Sequence, residues 1–204
     1  DLHSFPTRRS SDLWQITGRR MASGKVLCRV TAFNIEKGRT TPVTLTLRED
    51  AEDIEVKGSM NPEALFLAAG KSEKQSILTT TGRGYFIVGI VGAGEEPSNH
   101  FIRDLSRLKS DFEAWERSII LLFRGEKQWE HFNPDDFPPL PSTVTFGIDE
   151  ADAITGELVA NMHLPGGNHL PIVVIADTFG RVVYLSHGYK IGLGDELMQV
   201  IKRL

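Results

Sequence analysis

A single cysteine, Cys28, is the only thiol in the 204 residues of this chain. One thiol excludes an internal disulfide, and cysteine usage therefore does not assign a redox compartment. Long apolar runs are missing too, since none approaches the roughly 20 residues that a membrane-spanning helix requires. We therefore predict no membrane span. With 40% hydrophobic residues, the composition is that of an ordinary globular protein.

Clustered positive charge is also lacking. Residues 14–60 carry 8 basic and 6 acidic side chains, whereas residues 61–204 carry 13 and 19. Domains that bind nucleic acid show a basic patch or stripe on one face. An acidic main domain without such a cluster argues against nucleic acid as a partner.

The early part of the chain has the pattern of β-strands. Segments 14–17 and 26–33 flank a turn signal at 22–24, which predicts a hairpin. Within 41–47, apolar residues alternate with threonines as in a half-buried strand, and Ile54 and Val56 continue the pattern. Three or four strands are too few to close a stable sandwich. Residues 14–58 are therefore interpreted as the truncated tail of an antiparallel β-sandwich.

Residues 59–80 are interpreted as a connector. Asn61-Pro62-Glu63 has the signal of a helix start, which predicts a short helix over 64–69 that Gly70 ends.

From residue 81 onward strands and helices alternate, which is typical of an α/β domain with a mixed sheet flanked by helices. The order is β-α-β-α-β-α-β-β-α. The predicted strands are 85–91, 118–123, 142–148, 171–176 and 181–185, and the predicted helices are 97–115, 126–132, 151–162 and 193–204.

This order resembles the thioredoxin fold with an extra opening β-α pair. The resemblance is carried by GYFIVGIVGAGEEPSNHFIRDL at 84–105 and by HLPIVVIADTFGRVVYL at 169–185. It implies a thioredoxin-like domain over 81–204 and a cis peptide bond before Pro171. It also implies that the start of the first long helix lies against the loop that carries this proline.

A second resemblance covers most of the chain after Trp14. The phrases TGRGYFIVGIVGAGEEPSNHFIRDL, LPSTVTFGID and IADTFGRVVYLSHGYKIGLGDEL resemble the C-terminal region of exported transglutaminase-like proteins of Gram-negative bacteria. In that family a papain-like core precedes β-sandwich material and a thioredoxin-like domain. The resemblance implies a larger parent protein, exported to the periplasm or the cell surface, whose catalytic core lies upstream. No residue here matches the Cys/His/Asp triad of that core.

The first thirteen residues, DLHSFPTRRSSDL, resemble one translated frame of a common sequencing adapter. Residues 1–13 are therefore interpreted as an artefact. The natural chain is then expected to begin near Trp14, with its true N-terminus missing.

Thioredoxin chemistry requires the spacing C-x-x-C at the start of the first long helix. This sequence has Glu95-Glu96-Pro97-Ser98 there. We therefore predict that the chain is not an enzyme and that its main domain is a redox-inactive accessory module. A thiol oxidoreductase or peroxidase of the thioredoxin superfamily, and a purely structural domain, are the alternatives.

The polar residues at this helix start have two interpretations. In the first, Glu96 or Ser98 caps the helix. In the second, a binding face recognises an extended peptide or the upstream core of the same chain. That face consists of Glu96, Ser98, Asn99, His100, His169, Leu170 and Pro171.

Other motifs do not predict a cofactor or a metal. The glycines of 89–94 are spaced GxxGxG, which is a weak match to a dinucleotide site, and two carboxylates follow them. His163, His169 and His187 lack the spacing of metal ligands. Asp149, Glu150 and Asp152 are interpreted as a solvated turn rather than a calcium loop.

Overall fold

The computed structural model describes residues 2–5, 13–22, 25–34, 40, 42, 54–165 and 169–204. The chain divides into two compact units, residues 1–54 with Arg203 and residues 55–202 with Leu204. The first unit contains a three-stranded antiparallel sheet in the order β1-β2-β3. Its strands are β1 (Leu2–Phe5), β2 (Leu13–Ala22) and β3 (Lys25–Asn34).

Strands β2 and β3 confirm the predicted hairpin, because Ala22 pairs with Lys25 and Leu13 with Asn34. Leu2–Phe5 lies within the segment interpreted as adapter-derived, and it pairs with β2. This pairing does not bear on the origin of residues 1–13, which stays a prediction. The strand predicted over 41–47 lies outside the described residues.

The second unit is built on an eight-stranded mixed sheet in the order β4-β11-β10-β7-β8-β9-β5-β6. Strands β7, β8 and β9 are parallel to one another, and the other pairs are antiparallel. The strands are β4 (Gly58–Ser59), β5 (Leu65–Ala68), β6 (Lys74–Ser76), β7 (Tyr85–Val91), β8 (Ile119–Arg124), β9 (Val144–Asp149), β10 (Ile172–Asp177) and β11 (Arg181–His187). The helices are α1 (Ile77–Thr81), α2 (Glu96–Arg107), α3 (Lys109–Trp115), α4 (Glu126–Glu130), α5 (Ala153–Asn161) and α6 (Leu193–Ile201), with 3-10 turns at Pro134–Asp136 and Glu150–Asp152.

The central strands are apolar on both faces because the sheet has a core on each side. Along β7, Ile87 and Val91 belong to one cluster with residues of α2, α3 and α6. Phe86, Val88 and Ile90 belong to a second cluster with residues of α5. Successive side chains of a strand point to opposite faces, so a strand covered on both sides has a continuous apolar sequence.

The segment predicted as a connector is part of this unit. Residues 59–80 contribute β5, β6 and most of α1, and they bury Met60, Phe66, Ala68 and Ile77 in the second cluster. The predicted helix over 64–69 is wrong, since Leu65–Ala68 forms a strand between β9 and β6. Phe66 and Ala68 are buried while Leu65 is exposed, which is the alternation of a strand.

The predicted helix over 97–115 is two helices in the structure. Helix α2 ends at Arg107 and α3 begins at Lys109, with Leu108 between them at φ −101° and ψ 23°. The apolar residues continue at helical spacing across this break, because Phe101, Leu105 and Phe112 all enter the first cluster. Spacing alone therefore did not reveal the break.

Candidate functional site

The carboxyl ends of β7, β8 and β9 lie at one edge of the sheet because the three strands are parallel. Each of them continues into a helix, namely β7 into α2, β8 into α4 and β9 through a 3-10 turn into α5. Ile172 of β10 pairs with Ile90 of β7, and this places the loop that precedes β10 at the same edge. In open α/β sheets this edge is the usual place for a ligand.

A cavity of about 220 Å³ opens there. It has an apolar part, formed by Val91 at the end of β7 and by Leu170 in the loop before β10. Its polar part comes from the last residue of β8 and from residues that follow β7, β8 and β9. The full lining is Val91, Glu95, Arg124, Gln128, Asp152 and Leu170.

Arg124 and Asp152 form an ion pair in the lining. The guanidinium donates from Nε to Oδ1 of Asp152 at 2.9 Å and from Nη2 to Oδ2 at 2.6 Å. These hydrogen bonds raise the pKa of Arg124 and lower the pKa of Asp152. Both side chains therefore carry their charges at neutral pH, and the two charges offset each other.

Asp149 has a different role, although it is close to Asp152 in the sequence. Its side chain is fully buried and accepts hydrogen bonds from the backbone N–H groups of Ile154 and Thr155, at 2.9 and 2.8 Å, and from the Thr155 hydroxyl at 2.6 Å. This carboxylate satisfies the start of α5. Glu150 pairs with Lys74 at 2.7 Å. The interpretation of these acids as a solvated turn is therefore wrong for Asp149, which is a buried structural group.

The turn between β7 and α2 is held from two sides. Gly92 N–H donates to the Ser98 hydroxyl at 2.9 Å, and Ala93 N–H donates to Oε1 of Gln128 at 2.8 Å. The Glu95 carboxylate lies over Gly92, where a Cβ on the glycine would overlap it. Glu95 is the N-cap residue of α2 but makes no capping hydrogen bond with its side chain. Neither Glu96 nor Ser98 is the N-cap residue.

The structure places the residues of the predicted binding face in different surroundings. Leu170 lines the cavity, and the peptide bond between Leu170 and Pro171 is cis, as predicted. Ser98 is fully buried, so only its neighbours reach the surface. Glu96 is exposed and contacts His100 at 3.4 Å, His100 stacks on Tyr189 with 5.3 Å between ring centroids, and Asn99 is half-buried.

His169 is exposed and lies edge-on to His187, with 5.5 Å between ring centroids. In the described part of the chain, Nε2 of His187 is buried without a hydrogen-bond partner. No group of three or more His, Cys, Asp and Glu side chains is arranged to hold a metal ion among the described residues. No helix in the described part of the chain is long and apolar enough to cross a membrane.

Sequence reasoning missed Arg124, Gln128 and Asp152. For Arg124 there was a usable signal, since this charged residue directly follows the apolar run at 119–123. A charged residue at the carboxyl end of a buried strand lies at the edge of the sheet where ligands usually bind. Gln128 had no such signal, since its position depends on how α4 packs against the turn after β7.

No protein-family model matches the chain, and no curated protein matches it either. Solved structures do match. The thioredoxin domain of a thiol-disulfide oxidoreductase from Bacteroides vulgatus is 15% identical with a TM-score of 0.51, over 70% of this chain and 97% of that one. Peroxiredoxin Q from Xanthomonas campestris is 12% identical with a TM-score of 0.51, over 72% and 97%. A proposed thiol:disulfide interchange protein, DsbE, from Chlorobium tepidum is 14% identical with a TM-score of 0.51, over 71% and 96%.

These matches, with the mixed sheet and its flanking helices, give the chain a thioredoxin-like fold. They also correct one prediction. The sequence analysis predicted that the chain is not an enzyme, whereas the proteins that share its fold are named as thiol-disulfide oxidoreductases and peroxiredoxins. The prediction that the chain is not an enzyme is therefore not supported by the lack of C-x-x-C alone. At this level of identity the likeness extends to the fold alone, and no reaction is carried over with it.

Proposed function

We propose that residues 55–204 form an interaction module that receives one side chain of an extended partner peptide in the cavity beside Leu170. The cavity carries this proposal. Its volume of about 220 Å³ is below the roughly 300–1,000 Å³ of pockets that enclose whole small molecules. It suits a single long side chain, and its lining combines apolar and polar groups.

The position of the cavity supports a peptide over an isolated small molecule. Glu95 and His169 are exposed near its mouth, in the loops that precede α2 and β10. A chain segment that crosses the mouth can therefore contact both loops while one of its side chains enters the cavity. Peptide recognition commonly divides in this way between main-chain contacts and one or two side-chain pockets.

A peptide titration tests the proposal. Capped pentapeptides of sequence Thr-Val-Xaa-Val-Thr, with Xaa as lysine, norleucine or glutamate, are titrated into the full chain while backbone amide shifts are recorded. We expect at least one peptide to shift the amides of 91–95, 124–128 and 169–170. Glu95→Trp fills the mouth and should abolish these shifts, whereas Asp111→Trp, an exposed residue of α3 that is not in the lining, should not. Shifts confined to other surfaces, or none at all, would overturn the proposal.

A thiol enzyme is the second candidate, because solved proteins of this fold are named as such enzymes. The chain offers one thiol for that chemistry, Cys28. Insulin reduction in the presence of dithiothreitol and the consumption of hydrogen peroxide measure the two activities. An activity that Cys28→Ser removes would establish this candidate, and equal rates with both proteins would reject it.

We also propose that the chain is the C-terminal region of an exported transglutaminase-like protein, with its upstream core as a natural partner. The support is the resemblance of the phrases at 81–105, 140–149 and 175–197. The genomic reading frame upstream of Trp14 tests this. A signal peptide followed by a Cys/His/Asp core would support this parentage. If residues 1–13 are absent from the genomic frame, that absence would support their origin from an adapter. A frame without such a core would overturn the parentage.

A further inference from the structure

A second cavity, with a volume of about 400 Å³, is lined by residues of the segment 134–142 and of β9. We call it the proline cavity, because its lining includes Pro134, Pro138, Pro139 and Pro141. It shares no lining residue with the cavity beside Leu170. Its volume is within the roughly 300–1,000 Å³ of pockets that enclose small molecules.

The apolar walls of the proline cavity keep exposed surface. The side chains that form them are all partly buried, namely Phe137, Leu140, Val144 and Phe146. Phe132 supports two of them from the core, because its ring stacks on Phe137 with 5.5 Å between centroids and lies 5.3 Å from the ring of Phe146. A ligand can therefore bury apolar surface against walls that the core holds in place.

The segment 134–142 is fixed by two helices. The hydroxyl of Ser106 in α2 donates to the carbonyl of Pro138 at 3.0 Å. The N–H of Ser142 donates to Oε1 of Glu113 in α3 at 3.1 Å. The prolines also restrict the backbone of the segment, since each of them fixes its own φ. The proline cavity is therefore largely formed before a ligand binds, which lowers the entropic cost of binding.

The proline cavity offers a ligand more hydrogen-bond acceptors than donors. Its four prolines have no backbone N–H. Four more lining residues donate their N–H groups inside the protein, and these are Asp135, Phe137, Ser142 and Val144. Only Leu140 and Phe146 of the lining can therefore offer a backbone N–H to a ligand, whereas every lining residue has a carbonyl oxygen with two lone pairs.

The charge of the lining is negative. Asp135 is the one ionisable residue in it, and its side chain is exposed. In the described part of the chain, no hydrogen bond or ion pair involves the Asp135 carboxylate. The guanidinium of Arg103 lies over the ring of Phe137, 5.9 Å from its centroid, and is not in the lining. Because this positive charge opposes a cation in the cavity, we expect the attraction by Asp135 to be modest.

We infer that the proline cavity binds a small organic cation, an amine on an apolar body, with its ammonium group on the Asp135 carboxylate and its apolar body against Phe137 and Phe146. An ammonium group has three N–H donors and no acceptor, which suits a lining rich in acceptors. A carboxylate ligand meets the opposite situation, since Asp135 repels it and few donors are available. This site is separate from the peptide site proposed above and does not depend on it.

Three ligands of one shape test the inference, namely 2-phenylethylamine, 2-phenylethanol and 3-phenylpropionate. Each is titrated into the full chain at pH 7 and low ionic strength while backbone amide shifts are recorded. We expect the amine to shift the amides of 135–137, 140 and 142–146 and to bind about threefold more tightly than the alcohol, as for an exposed ion pair. The propionate should bind least. The difference between amine and alcohol should shrink at an ionic strength of about 1 M.

Three variants assign the preference to its charges. Asp135→Asn should bind the amine and the alcohol equally while still binding both. Asp136→Asn is the matched control, because Asp136 is the next residue, is exposed and is not in the lining. It should keep the preference for the amine. Arg103→Gln removes the opposing charge and should increase the preference.

A further pair of variants tests the location. Ser142→Trp fills the cavity from an exposed lining position and should abolish the binding of all three ligands. Asp111→Trp, on exposed α3 outside the lining, should not.

Three outcomes would overturn the inference. The first is that none of the ligands shifts the amides of 135–146, or that the shifts persist in Ser142→Trp. The second is equal binding of the three ligands to the unaltered chain, which would remove the selection for a cation. The third is a preference for the amine that persists in Asp135→Asn. The peptide titration reads the amides of 91–95, 124–128 and 169–170 instead, so the two proposals fail or hold separately.

Discussion

Asp152 combines an unusual backbone conformation with a pairing role. It precedes α5 with φ at 55°, in the left-handed region, and its carboxylate accepts two hydrogen bonds from Arg124. Asparagine tolerates this conformation as well as aspartate does. Asp152→Asn therefore removes the charge and leaves the backbone preference intact.

We expect Asp152→Asn to lower the free energy of unfolding at pH 7 by less than about 1 kcal/mol, because the pair is partly exposed. The pKa of Asp152 is lowered in the folded protein, first by the hydrogen bond from Arg124. The stabilisation is therefore present above the unfolded pKa of about 4 and is lost as the pH falls through the lower folded value. Urea unfolding of the unaltered protein and of Asp152→Asn, from pH 7 to pH 3, measures this difference in the free energy of unfolding.

The control for this prediction is Asp111→Asn, at an exposed position. The free energy of unfolding of this variant should depend on pH in the same way as that of the unaltered protein. A difference between Asp152→Asn and the unaltered protein that stays constant down to pH 3 would contradict the linkage to Asp152.

At the scale of residues, the sequence analysis did not predict the pairings around the cavity. The segment before Pro171 and the start of α2 were both predicted to form the candidate face, and Leu170 does line the cavity. The Arg124–Asp152 pair was missed because it joins two elements that are 28 positions apart. Pairings of this kind depend on tertiary packing, which local spacing does not encode.

At the scale of elements, Gly147 in β9 shows how tightly the side chain of Phe66 in the neighbouring strand β5 packs. A Cβ at this position would overlap the ring of Phe66 and crowd Leu122 at 2.9 Å. Phe66 is 1% exposed, so it has no open space to move into. We expect Gly147→Ala to lower the free energy of unfolding by about 1–3 kcal/mol through overpacking.

Gly156 in α5 is the matched control, because a Cβ there meets nothing within 4 Å. Gly156→Ala should raise stability by roughly 0.5–1 kcal/mol through helix propensity. Chemical denaturation of both variants checks the pair of expectations. Equal changes in the free energy of unfolding for the two substitutions would show that the Phe66 ring moves to accommodate the Cβ. The packing around Phe66 would then be less tight than its burial indicates.

The sequence predicted the apolar strands of the sheet, but neither the break in the longest helix nor the strand Leu65–Ala68. The apolar run at 85–91 is long enough to indicate a buried strand without its neighbours, and the structure confirms it as β7. Leu65–Ala68 has only four residues, and a proline two positions before a short apolar run suits a helix start equally well. Leu65–Ala68 is a strand because it pairs with β6 and β9. Strand β9 begins only at Val144, so this pairing cannot be read from the local sequence.

At the scale of the molecule, we expect residues 55–204 to unfold cooperatively and residues 81–204 not to do so. The longer fragment retains Met60, Phe66 and Ile77, which are at most 5% exposed. Burial of three such side chains contributes roughly 5–9 kcal/mol, which is comparable to the 5–15 kcal/mol of a whole domain. Urea unfolding followed by the fluorescence of Trp115 and Trp129 measures both fragments. A cooperative transition of 81–204 would contradict this expectation.

The position of β10 in the sheet has a consequence for the synthesis of the chain. Strand β10 lies between β7 and β11, and the first strand of the sheet, Gly58–Ser59, pairs with β11 alone. While the ribosome is still producing the chain before Ile172, β7 has one side open and β4 has no neighbour. Contacts between segments so distant in sequence form slowly. A nascent chain in this state presents an apolar strand edge, so a product that stops before Ile172 is expected to aggregate rather than fold.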